Sequence, residues 1–76
     1  MRLEDFLHDR SVSLEVRIGT LLSASTSFGD INFVVHAEML IEEYNENPSR
    51  GSGDLYARLL RAKNNRQIKI SKISQN

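Results

Sequence analysis

A chain of 76 residues without a cysteine has neither disulfides nor a thiolate metal site to staple it, and a domain of this size buries only about 60% of its unfolded surface. No apolar run approaches the roughly 20 residues that span a bilayer. The opening MRLEDFLHDR carries acids where a secretory signal would be hydrophobic, so a single soluble domain over 1–76 is expected, cytoplasmic, with no membrane partner.

The formal net charge of zero hides a division. Residues 1–49 hold three basic side chains against nine acids, a net of −6, and residues 50–76 hold seven against one, a net of +6. Such a split either offers a basic surface to a polyanion or lets the two halves neutralise each other.

Leu3, Phe6 and Leu7 sit at helical spacing, which predicts a short N-terminal helix over 2–9, too brief to stand without docking. From Val12 to Ile18 the period falls to two: Val12, Leu14, Val16 and Ile18 alternate with Ser13, Glu15 and Arg17. That pattern reads as a half-buried strand. Wound as a helix, the same apolar positions with Leu21 and Leu22 scatter over about 220°. Ser23 to Gly29, SASTSFG, reads as a polar connection, without the spaced glycines and lysine of a P-loop.

The longest periodic segment follows. Over 31–46, with Asp30 as the expected N-cap and Pro48 as the stop, Phe33, Ala37, Leu40 and Tyr44 fall on one line with Val34 and Ile41 beside them, as a core-facing helix requires. A second stripe of Ile31, Val35 and Met39, spaced by four, lies beside Glu38, Glu42 and Glu46. A helix apolar on more than one side is either packed twice or awaits a partner. Asn45 to Asp54, NENPSRGSGD, is an exposed linker and the expected first site of proteolysis.

Asp54 is read as the cap of a basic amphipathic helix over 54–64, with Leu55, Tyr56, Leu59, Leu60 and Ala62 inward and Arg58, Arg61 and Asn65 outward. Ile68, Ile70 and Ile73 then alternate with Lys69, Ser71 and Lys72, a second strand over 67–73 whose lysines discourage edge pairing. The expected fold is α+β: a short N-terminal helix and a two-stranded sheet, 12–18 with 67–73, packed with helices 31–46 and 54–64. Pairing would bring Glu15 and Arg17 near Lys69. If 12–18 is helical instead, the domain is an all-α four-helix bundle.

Little here resembles a catalytic constellation. His36-Ala37-Glu38 has the H-x-E spacing of zinc deaminases but lacks the downstream cysteines. His36 with Glu42 or Glu43 would need further ligands from His8 or Asp5, and no H-E-x-x-H supplies them. Glu42 and Glu43 diverge on their helix, and no serine sits in a nucleophile elbow. An enzyme is not expected, nor a cofactor, a metal or a small-molecule substrate. Two expectations remain. The first is a protein-interaction or regulatory module working through Ile31, Val35, Met39, Glu42 and Glu46, with a protein partner or a second copy. The alternative is an accessory nucleic-acid-binding module using Arg58, Arg61, Lys63, Arg66, Lys69 and Lys72 along a phosphate backbone.

Overall fold

The computed structural model describes residues 2–48 and 51–74. Four α-helices follow one another: α1 (Leu3–Leu7), α2 (Leu14–Ser23), α3 (Asp30–Glu46) and α4 (Gly53–Ser74), with a 3₁₀ turn, Ser25–Ser27, between α2 and α3. There is no strand among the described residues. The α+β expectation is therefore overturned, and the all-α alternative describes the chain. Residues 12–18 lie in the approach to α2 and its first turns, and 67–73 are the last turns of α4, so the expected 54–64 helix runs on to Ser74.

Helix α2 forms because a different subset of its residues is buried than the alternation suggests. Leu14, Ile18 and Leu21 recur at i, i+4 and i+7 and are all buried, whereas Val16 is 51% exposed. Ser13, placed in a strand by its alternation, is the N-cap, and its hydroxyl accepts from the Val16 amide at 3.3 Å. Helix α4 continues past Asn65 because nothing up to Ser74 breaks a helix once it has begun, and propagation adds one backbone bond per residue.

Both expected caps lie inside their helices. Gly29 is the N-cap of α3 and Asp30 its first helical residue, while α4 begins at Gly53 with Asp54 in its first turn. The connection Ser23–Gly29 contains the 3₁₀ turn and is not plain coil. Of the linker expected to be cut first, Ser49 and Arg50 lie outside the described residues. Gly51 has φ +84°, the left-handed conformation that glycine adopts without strain.

The buried cluster draws on every helix: Leu7 of α1, Leu14, Ile18 and Leu21 of α2, Phe33, Ala37 and Leu40 of α3, and Leu59 of α4. Helices α3 and α4 share the largest contact. They run antiparallel, since the Tyr56 hydroxyl near the start of α4 donates to Asn45 near the end of α3, while Arg66 late in α4 meets Asp30 at the start of α3. Tyr44 and Tyr56 stack with centroids 4.0 Å apart at the same end. Beyond Arg66, α4 runs on for eight residues, about 12 Å at 1.5 Å per residue.

Candidate functional site

Three polar contacts hold the helices in place, and each uses residues whose sequence context suggested something else. The guanidinium of Arg17, 2% exposed, donates from Nη1 and Nη2 to the two carboxylate oxygens of Glu43 at 2.8 and 2.7 Å. It also donates from Nε to the Val12 carbonyl at 3.0 Å and from Nη1 to the Leu7 carbonyl at 3.3 Å. This bidentate pair is satisfied on both sides. It joins α2 to α3 and closes the end of α1, and the expected neighbour Lys69 has no part in it. Glu43 is held below the ordinary glutamate value chiefly by the hydrogen bonds from Arg17, which offset its burial, and the same bonds raise Arg17.

The second contact joins α1 to α3. His8 Nε2 and His36 Nδ1 are 2.8 Å apart, so one ring donates and the other accepts, and a single hydrogen lies between them. The rings stack with centroids 5.0 Å apart, and Phe28 meets His36 edge-on at 5.4 Å. Burial lowers the His36 pKa, and the neighbouring His8 lowers it further against the pull of Glu4. Among the described residues no group of three or more His, Cys, Asp or Glu is placed to hold a metal ion.

The third contact takes one residue out of the expected basic constellation. Arg66 donates to the carbonyls of Ser25 at 2.6 Å and Phe28 at 2.9 Å and to Asp30 Oδ1 at 3.2 Å, with its guanidinium 4.6 Å over the Phe33 ring. It is a clamp on the connection before α3. Lys63 is half-buried, while Arg58, Arg61, Lys69 and Lys72 are exposed. Because α4 is one helix, these four and Asn65 fall within an arc of about 80°. Arg58 to Lys72 makes a stripe about 21 Å long, with Ile68, 55% exposed, at its edge.

The expected apolar stripe of α3 lies on its outer side. Ile31 is 66% exposed and Val35 and Met39 are each 50% exposed. Glu38, Glu42 and Glu46 are exposed beside them, within an arc of about 100° opposite the buried residues. No side chain of these three glutamates, nor of Arg58, Arg61, Lys69 or Lys72, enters a hydrogen bond or ion pair among the described residues. At the N-terminal end of the stripe Ile31 borders an open groove of about 540 Å³, shared with Gly29, Asp30, Asn32, Ile70 and Ile73 where α4 overhangs α3.

Among the described residues, Arg66–Asp30 is the one ion pair that crosses between the acidic and basic halves. Direct pairing of one half with the other is thus confined, among the described residues, to that clamp. No protein-family model, no curated protein and no solved structure matches this chain. No helix among the described residues is long and apolar enough to cross a membrane.

Proposed function

We propose that the chain is a non-enzymatic protein-interaction or regulatory module whose working surface is the outer face of α3. One observation carries this reading. Ile31, Val35 and Met39 stand at i, i+4 and i+8 with half or more of their surface in water, on a helix whose opposite side already supplies Phe33, Ala37 and Leu40 to the core. An unpartnered apolar row rimmed by charge is the form in which one helix presents itself to another or to a groove. Glu42 and Glu46 set the charge of the rim and favour a basic partner.

The experiment is capture from an extract of the source cells on the immobilised chain, with a Val35→Glu bait beside it and circular dichroism on both. The reading expects a partner retained by the native chain and lost with Val35→Glu, whose helical signal and melting temperature are unchanged. A Val35→Glu chain that unfolds makes the stripe part of the core, and an unchanged set of captured proteins removes it from the interface. Either result overturns the reading.

A second reading is favoured by the unbroken course of α4, which aligns Arg58, Arg61, Lys69 and Lys72 where the sequence suggested a helix followed by a strand. Salt-sensitive retention of DNA or RNA by a monomer, lost on Arg58→Ala with Arg61→Ala, would move the function to this face, since each phosphate contact releases counterions.

A further inference from the structure

We propose that the occupant of the α3 stripe is a second copy of this chain, which lays the exposed stripe of its own α4 antiparallel along α3, so that copies join head to tail. The proposal rests on the interaction reading above and names the partner of that surface. Its ground is complementarity in length, spacing and charge between the two faces.

The α3 row from Ile31 to Glu46 is about 22 Å long and the α4 row from Arg58 to Lys72 about 21 Å. Both follow the helical repeat. Val35 and Glu42 are seven residues apart, as are Ile68 and Arg61, and a further turn leads to Glu46 on one helix and Arg58 on the other. Set antiparallel, the apolar end meets the apolar end, Val35 on Ile68, while Glu42 meets Arg61 and Glu46 meets Arg58. Lys72 then lies over Ile31 and covers it with its methylene stem. Set parallel with Ile31 on Arg58, the same faces would also pair Glu42 with Lys69 but would lay Ile31 on an arginine and leave Val35 and Ile68 apart, so only the antiparallel register matches charge and apolar surface together.

Helix energetics within one copy do not account for these charges. Glu46 stands in the last turn of α3, where no basic residue is present and the macrodipole opposes an acid. Glu43 in the same turn is paired with Arg17; Glu46 shares a cleft with Arg10 and Arg17 but enters no ion pair among the described residues. An opposing row of cations supplies the pair that a single copy lacks.

The direction of assembly follows from the fold. Each stripe lies opposite the buried side of its helix, and α3 and α4 are packed on each other, so the two stripes face different ways. A copy whose α3 row is covered by one neighbour keeps its α4 row for the next, a heterologous contact that extends and does not close as a dimer. One helix-on-helix contact of this length falls below the roughly 1,200 Å² of stable interfaces. Association is therefore weak, concentration-dependent and sensitive to salt.

Sedimentation velocity with light scattering tests this from about 10 μM to about 1 mM protein, at low salt and near 1 M, where the screening length falls to about 3 Å. The mean mass is expected to climb above 8.7 kDa with concentration, without a plateau at the dimer, and to return to the monomer at high salt. Glu42→Arg with Glu46→Arg, and separately Arg58→Glu with Arg61→Glu, should each weaken association at least tenfold. Mixing the two variants should restore it, because every swapped face then finds its complement.

All four side chains are exposed, and circular dichroism checks that the helices persist. A native chain that stays monomeric throughout, or a dimer plateau indifferent to the swaps, overturns the second copy as occupant. If such a chain still captures a partner through Val35, the α3 surface keeps its role and only this proposal falls; if Val35→Glu unfolds the chain, both fall.

Discussion

Arg17 donates four hydrogen bonds, two to Glu43 and one each to the carbonyls of Leu7 and Val12, so its removal strands groups on three elements at once. Breaking a buried ion pair by deleting one partner costs about 3–5 kcal/mol. Glu43 keeps 18% exposure, which places Arg17→Met toward the lower end. The same pair sets an acid limit on stability. Because Glu43 titrates below its ordinary 4.5 in the folded chain, its contribution is complete above that value and is lost as pH falls through the folded one. Asp9 is lowered as well, chiefly by its hydrogen bonds from Ser11 and least by the charge of Arg17, so the larger part of its contribution is lost in wild type and variant alike. With a stabilising osmolyte present to keep the weakened variant folded, urea midpoints between pH 7 and pH 2.5 should fall for the native chain and start lower but fall less for Arg17→Met. Parallel slopes in the two proteins would show that the acid sensitivity arises elsewhere.

At the scale of the element, α2 shows why part of the fold was legible and part was not. Helix α3 could be read closely, because its buried residues are all apolar and keep a 3.6 period over seventeen residues. In α2 two residues behave against type: Arg17 is buried and Val16 exposed. Exchanging their expected sides turns Leu14, Ile18 and Leu21, a tight helical row, into an apparent alternation with period two. The end of α4 misled for another reason. Ile68 and Ile73 remain more than half exposed, so burial imprints no period there and the alternation with lysines carries no structural meaning. The exposed α3 stripe, by contrast, was visible as a surplus of apolar positions. The Arg66 clamp was not, since an arginine donating to carbonyls of a distant loop leaves no local pattern.

Gly19 tests the helical assignment of α2 directly. It lies inside the helix, and a methyl group added there would meet nothing within 4 Å. Gly19→Ala should therefore stabilise by about 0.5–1 kcal/mol through the unfolded chain's lost freedom, a rise in melting temperature of about 3–6 °C. A fall would mean that the backbone at Gly19 is not helical.

At the scale of the whole molecule, the functional reading depends on a boundary within α3 between residues that hold the chain together and residues available to a partner. Leu40 is fully buried and Val35 is half exposed, five residues apart on the same helix. Leu40→Ala removes atoms from the one cluster to which every helix contributes, at a cost of about 2–5 kcal/mol. A core of this size rarely supplies more than about 3–5 kcal/mol in total. That variant should therefore be largely unfolded near room temperature, its helical signal lost in a thermal melt that the native chain survives. Val35→Ala removes a side chain that touches water over half its surface, and its melt should match the native one to within about 0.5 kcal/mol. Similar losses in both would mean that α3 is packed on two sides within one molecule and has no free face. A large difference between them leaves Val35, Ile31 and Met39 as apolar surface that the fold does not need, which is the physical condition for a partner to use it.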